Sequence, residues 1–228
     1  MVKEKDIEKH IHKAAAELNS DNIASALKSL QKVLELDAEN LEVHYLLGIA
    51  YTKSTKYSKA VIHLTKVTRS KFNYLHVQHA HMLLGYAFVQ LEKYDDAYKS
   101  FERVLSINFN NDKAIAAQAH VLYKMGLMDD AINAVNKALE INPDNYNARN
   151  TLAYLLAESG RDIEQAMREA QAVNKAVPDN YVYQDTLGWI YYKKGKEGLA
   201  RETLQHALDL APDNEEIKEH LRIVLEIA

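Results

Sequence analysis

The sequence predicts an all-α chain, a stack of helix–turn–helix units, on three observations. The three prolines of the 228-residue chain, Pro143, Pro178 and Pro212, each open the tripeptide Pro-Asp-Asn, 35 and 34 residues apart. Weaker copies, Ala38-Glu39-Asn40 and Phe109-Asn110-Asn111, extend the same punctuation towards the N-terminus. Two apolar stretches of helical period lie between successive junctions, and small residues recur at fixed places within each period. A chain of this kind buries its core between neighbouring units. Its composition, 47% hydrophobic and 26% charged with a net charge of -4, supplies such a core and carries no mark of disorder or of a collagen-like fibre.

The period divides the chain into six units, Ile7–Asn40, Leu41–Val77, Gln78–Asn111, Asp112–Asn145, Tyr146–Asn180 and Tyr181–Asn214, followed by Glu215–Ala228. Each reads as a helix A, a polar or glycine-containing turn such as Met125-Gly126-Leu127-Met128-Asp129 or Lys194-Gly195-Lys196, and a helix B. Proline ends a helix because it cannot donate within one, and Asp and Asn cap the next, so a helix restarts after each junction. The eighth position holds Ala14, Gly48, Gly85, Ala119, Ala153 and Gly188, and the twentieth holds Ala26, Ala60, Ala97, Ala131, Ala166 and Ala200. These two positions are expected to meet as a close contact between A and B. Large apolar residues surround them at the seventh, eleventh and twenty-fourth positions, for instance Leu84, Phe88 and Phe101, or Leu187, Tyr191 and Leu204.

Small at eight, alanine at twenty, apolar or aromatic at twenty-four and proline at thirty-two resembles the tetratricopeptide repeat, over Ile7 to Asn214. The resemblance implies a right-handed α-α superhelix forming one solenoid domain, residues 1–228, whose A helices line a concave groove that takes a partner peptide or helix. Carried over position by position, it places Tyr45, Lys53, Tyr86, His120, Tyr123, Lys124, Asn147, Asn150, Tyr154, Asp185, Trp189 and Tyr192 in the groove. Tyr86, His120, Tyr154 and Trp189 then form a ladder at position nine. Aromatics at helical spacing also pack between neighbouring units, position twelve above all, and both readings stand. Rings with a polar edge suit a peptide floor, and Asn147 and Asn150 offer amides for a peptide backbone. The family's carboxylate clamp is not met, since Ala117 stands where that pattern has arginine.

Departures from the period carry their own expectations. Lys13 and Glu17 occupy the seventh and eleventh positions of the first unit, so the outer face of its first helix reads as a polar N-terminal cap. Ile217, Leu221, Val224, Leu225 and Ala228 share one side of a final helix opposite Glu216, Lys218, Glu219 and Arg222, which reads as a C-terminal cap. One extra residue lies near Arg161-Asp162-Ile163. Three more precede Gln78, where Lys71-Phe72-Asn73-Tyr74-Leu75-His76-Val77 replaces the usual junction and the punctuation is expected to fail.

Charge is uneven along the chain. No aspartate or glutamate occurs from Val43 through Leu91, whereas Lys53, Lys56, Lys59, Lys66, Arg69 and Lys71 do, so this stretch carries +6 and the remainder -10. The cations form a solvated face or a docking patch for an acidic partner; the acidic end, with Asp209, Asp213, Glu215, Glu216 and Glu219, could instead meet them on another copy, head to tail. A nucleic-acid partner is not expected, because the patch is short and no binding motif accompanies it. Neither a cofactor nor a metal is expected: His76, His79 and His81 lie close together without a carboxylate or thiolate beside them. No phosphate loop, nucleophile elbow or His-Glu-x-x-His occurs, so the chain reads as a non-enzyme with no catalytic residues. Without an apolar span or an apolar leader core in Met1–Lys13 it reads as cytoplasmic. The alternative is periplasmic, the leader having been removed, because Asn150-Thr151-Leu152-Ala153-Tyr154 and Asp185-Thr186-Leu187-Gly188-Trp189 resemble a tandem frequent in bacterial members, exported ones included. Functionally the chain reads as a protein-binding scaffold or adaptor, with a self-assembling structural component as the alternative.

Overall fold

A computed structural model describes residues 2–70 and 73–226, so Lys71 and Phe72 of the divergent junction and Ala228 of the final helix lie outside the described residues. Thirteen α-helices and no strand occur among those described. They group into two compact units, Met1–Phe109 and Asn110–Ala228. The first holds α1 (Val2–Asn19), α2 (Ile23–Leu36), α3 (Leu41–Lys53), α4 (Tyr57–Thr68), α5 (Tyr74–Gln90) and α6 (Tyr94–Ile107). The second holds α7 (Asp112–Lys124), α8 (Met128–Ile141), α9 (Tyr146–Ser159), α10 (Ile163–Ala176), α11 (Tyr181–Lys193), α12 (Glu197–Leu210) and α13 (Glu215–Glu226). The chain is thus all-α, built of helical hairpins in sequence order.

Helix starts follow the punctuation. The asparagine that closes each junction, Asn40, Asn111, Asn145, Asn180 or Asn214, accepts a backbone N–H of the following first turn, satisfying a group the helix leaves without a partner. The divergent junction keeps this device, contrary to expectation. Asn73 accepts from the amides of Leu75 at 2.9 Å and His76 at 3.4 Å, and α5 begins there, 17 residues long where α3 and α7 have 13. The extra residues lengthen helix A by one turn.

Every A–B turn contains one left-handed residue at position fifteen: Asp21, Thr55, Glu92, Gly126, Gly160 and Gly195. The second unit uses glycine, which adopts this conformation freely; the first uses side chains that resist it, Thr55 most because it is β-branched.

The core of each hairpin is a size match. The six position-twenty alanines are fully buried, but position eight does not take its nearest neighbours from them. A Cβ added to Gly48 would lie 2.3 Å from Leu64, to Gly85 2.4 Å from Phe101 and to Gly188 2.7 Å from Leu204, all residues of position twenty-four. In these three hairpins the glycine of helix A is therefore the seat of the large residue of helix B, which lies nearer to it than the position-twenty alanine expected there. Three of the six hairpins thus seat a Leu or Phe on glycine, and where position eight is alanine the sequence has Leu30, Val135 or Ala170 at position twenty-four. All six position-twenty-four side chains are buried.

Within each unit the A helices also pack on one another, α1 on α3 on α5 and α7 on α9 on α11 on α13. Among the described residues no B helix packs on another B helix of its unit. A continuous inner layer with a splayed outer layer makes the A face the concave one. At the N-terminus, Glu17 does not present a polar outer face. It accepts hydrogen bonds from Ser25 at 2.5 Å and Ser29 at 3.0 Å on α2, and these hold its carboxyl below the usual range. At the other end Ile217, Leu221 and Val224 are buried as expected, while Leu225 is exposed.

Two expectations follow. Gly188→Ala should cost about 1–3 kcal/mol because Leu204 and its backbone leave no room, whereas Gly198→Ala, where an added Cβ meets nothing within 4 Å, should be neutral or stabilise by about 0.5 kcal/mol; chemical denaturation measures both. Thr55→Gly should raise stability by up to about 1 kcal/mol by relieving the left-handed turn, and an unchanged or lowered midpoint would contradict that.

Candidate peptide-binding groove

The A face of Asn110–Ala228 brings most of the expected groove residues together. His120, Tyr123 and Lys124 come from α7, Asn147, Asn150 and Tyr154 from α9, and Asp185, Trp189 and Tyr192 from α11. Helical spacing puts each set on one face. The Tyr123 and Tyr154 rings meet edge to face at 5.5 Å and their hydroxyls lie 3.4 Å apart. Burial first, and then the Tyr123 hydroxyl, drives the Tyr154 phenol upward, so it stays a neutral hydroxyl. Burial and the nearby Lys124 lower His120. Asn147 is exposed and accepts the Tyr183 hydroxyl at 2.7 Å. Asn150 is 6% exposed; its Nδ2 donates to Thr186 Oγ1 at 3.0 Å, and its Oδ1 has no hydrogen-bond partner.

Farther along, the floor is covered by α13. His220 Nδ1 lies 2.8 Å from Asp185 Oδ1, and the His220 ring stacks on Trp189 at 4.3 Å. Burial raises the Asp185 carboxyl while the His220 hydrogen bond opposes the rise. Trp189 Nε1 donates to Glu158 at 2.5 Å, Lys193 pairs with Glu158 at 3.2 Å, and the Lys193 ammonium sits 5.0 Å above the indole. Trp189 therefore packs beneath α13, and Tyr192 lies half-buried beside it at 4.9 Å. Glu216 reaches back to pair with Lys124 at 3.3 Å. His220 and Glu216 were not among the expected site residues, although Asn214 closes a sixth junction and α13 starts a seventh A helix in the same frame.

Between these groups lies a cavity of about 110 Å³ whose lining includes His120, Tyr123, Asn150, Tyr154, Asp185 and Glu216. That is far below the ~300–1,000 Å³ of small-molecule sites and matches a single side chain.

In Met1–Phe109 the expected groove residues are more dispersed. The Tyr45 hydroxyl meets His79 Nδ1 at 2.7 Å and its ring lies against His76 at 4.4 Å. Tyr86 is 46% exposed and packs edge to face on Tyr57, burial and Tyr57 pushing its phenol up to about 12. Lys53 pairs with Asp21 at 2.8 Å. Of the basic patch, Lys66 pairs with Glu39 at 3.0 Å, Lys59 lies 5.6 Å from the Tyr51 ring centre, Lys56 and Arg69 are exposed at the two ends of α4, and Lys71 is outside the described residues.

Beneath this patch His44 and His63 meet Nδ1 to Nδ1 at 2.8 Å, with His63 stacked on Tyr51. The Ala38 carbonyl, 3.1 Å from His44 Nε2, can only accept, so His44 carries its proton on Nε2 and takes the Nδ1–H of His63. Protonating His44 would set two donors face to face, whereas His63, already donating from Nδ1, would take a second proton on Nε2. Burial, followed by His44 and Lys66, lowers His63 to about 4, and burial also lowers His44, His79 and His81.

Comparison with known proteins agrees with this architecture. Models described as tetratricopeptide repeat match residues 122–190 and, separately, 78–111 and 183–214. DnaJ homolog subfamily C member 3 of Homo sapiens is 23% identical over 236 residues, covering 96% of this chain and 46% of its own length. The chain thus spans about half the length of that curated relative. A tetratricopeptide repeat protein from Parabacteroides merdae superposes with a TM-score of 0.71 at 16% identity, covering 97% of this chain and 99% of its own. YrrB, described as having an unusual peptide-binding site, superposes at 0.51 with 21% identity, covering 85% of this chain and 97% of its own. No helix among the described residues is long and apolar enough to cross a membrane.

The depressed histidines set a pH expectation. A base whose folded pKa is lowered contributes stability that is complete above its ordinary value near 6.5 and is lost as pH falls towards the folded value near 4. The thermal midpoint of Met1–Phe109 within the whole chain should therefore fall as pH drops from 6.5 towards 4. His63→Gln should flatten that dependence; an equally steep fall in the variant would refute the assignment.

Proposed function

The chain belongs to the tetratricopeptide repeat family, and on that premise we propose that it is a protein-binding scaffold whose Asn110–Ala228 unit holds an extended segment of a partner along its A-helix face. The observation that carries this is the side-chain-sized cavity among Tyr123, Asn150 and Tyr154. Neutral hydroxyls, a neutral imidazole and an amide offer hydrogen bonds without the desolvation cost of free charges, and the rings add contact area with little side-chain entropy to lose. At position nine of this unit His120 and Tyr154 are half-buried, whereas Trp189 is buried and stacked under His220. A second surface, the α4 cations Lys56, Lys59 and Arg69, supports long-range attraction of an acidic partner and acts on association rate more than on affinity.

The immobilised 228-residue chain should capture a defined set of proteins, and Tyr123→Ala with Tyr154→Ala should lose that set. Lys59→Glu with Arg69→Glu should retain it at reduced rate. Identical capture by the tyrosine variant, with its circular dichroism unchanged, would sink the groove reading.

A further inference from the structure

We infer that the outer face of α4 docks on the outer face of α12 of a second copy of this chain. This rests on the reading of the α4 cations as a docking surface, names their partner, and is independent of the groove. Positions nineteen, twenty-two, twenty-six and twenty-nine of a B helix lie within about 80° of one another around its axis, turned away from the buried positions twenty and twenty-four. On α4 they are Lys59, Ile62, Lys66 and Arg69, on α12 Leu199, Glu202, His206 and Asp209, and all eight are exposed. No other B helix has a cation at both nineteen and twenty-six, and none but α12 has a carboxylate at both twenty-two and twenty-nine. Seven residues, about 10.5 Å of helix, separate Lys59 from Lys66 and likewise Glu202 from Asp209. Laid antiparallel, α4 of one copy and α12 of another bring Lys59 to Asp209 and Lys66 to Glu202. Ile62, 62% exposed, then lies between the two pairs, and the stem of Arg69 covers Leu199.

The surroundings carry the same signs. Residues 56–70 hold four lysines or arginines and no carboxylate, whereas residues 197–226 hold eight carboxylates against three lysines or arginines, so the two surfaces attract before they touch. Lys66 reaches Glu39 at 3.0 Å, but that carboxylate is 80% exposed and such a pair holds weakly. Asp209 accepts from Gln205 through Oδ1 and keeps Oδ2 for another donor. Other occupants fit less well. A lipid surface needs more apolar area than Ile62 provides, and a nucleic acid needs more phosphate contacts than four cations on one helix make. Among acidic partners, a second copy supplies carboxylates at the matching spacing. One helix pair buries less than the ~1,200 Å² of a stable interface, so the contact is weak, and a copy that carries one face of each kind can extend the assembly beyond two.

Sedimentation of the 228-residue chain over a concentration series at low salt is the test. Its mass should rise with concentration, and association should weaken at least tenfold in about 1 M salt, where charges are screened beyond about 3 Å. Lys59→Glu with Lys66→Glu, and separately Glu202→Lys with Asp209→Lys, should each leave the mass of one chain and an unchanged circular dichroism spectrum. An equal mixture of the two variants should associate again, because each supplies the complement the other has lost. A wild-type chain that stays single throughout overturns the inference, as does association that either variant retains or that the mixture of folded variants fails to recover. A single chain that sediments with vesicles of phosphatidylcholine and phosphatidylglycerol, and loses this in Lys59→Glu with Lys66→Glu, overturns it in favour of a lipid surface. Slower partner capture by Lys59→Glu with Arg69→Glu would leave the α4 docking surface standing when the second copy as its partner falls.

Discussion

Three hairpins of this protein depend on one fit, a position-twenty-four side chain of helix B seated on a glycine of helix A. With Gly85 under Phe101 or Gly188 under Leu204, added Cβ atoms would come within 2.4 and 2.7 Å of the seated side chain, so the helix separation is set by the absence of a single carbon. Alanine at position eight accompanies Val135 or Ala170, and the one hairpin with alanine under leucine, Ala14 and Leu30, is the first. Interiors are packed tightly enough for such a trade to matter. Once A and B are held at this distance, the A helices are free to contact their own kind, and it is that inner layer which carries the groove.

The groove inherits its chemistry from the same register. Residues that point away from the B helix point into the concave face, so Asn150, Tyr154 and Asp185 are fixed by helices whose opposite sides are locked in the core. α13 continues the register past the last Pro-Asp-Asn and delivers His220 and Glu216 onto that face. There His220 hydrogen-bonds Asp185 and Glu216 pairs with Lys124. What remains is a hollow lined by hydroxyls and an amide, flanked by the Asp185–His220 hydrogen bond and the Lys124–Glu216 ion pair.

Much of the fold was legible because it is written in local rules: asparagine as a cap, proline as a stop, alanine or glycine where helices touch. The divergent junction was misread because proline is a conspicuous stop and Asn73 an inconspicuous cap, and the cap decided where α5 begins. The partner of position eight was misread for a different reason. Two small residues in register suggest contact, but a helix side chain leans over the turn behind its own Cα, and that direction brings Leu64, Phe101 and Leu204 over the glycines. Glu17 looked like a solvated cap because its two hydrogen-bond donors, Ser25 and Ser29, lie on another helix. The site was legible as a row of positions and not as a set of bonds. Trp189 and Asn150 share one row, yet one is roofed by His220 and the other is left with a vacant oxygen, and only the placement of α13 and Thr186 separates them.

The central claim, that position twenty-four is seated on position eight, is tested most directly by a double-mutant cycle on α11 and α12. In a Leu204→Ala background, which reproduces the Ala153 and Ala170 pairing, Gly188→Ala should lose its cost and become neutral or mildly stabilising, a coupling of at least about 1 kcal/mol. Equal destabilisation by Gly188→Ala in both backgrounds, additive within about 0.5 kcal/mol, would contradict the account.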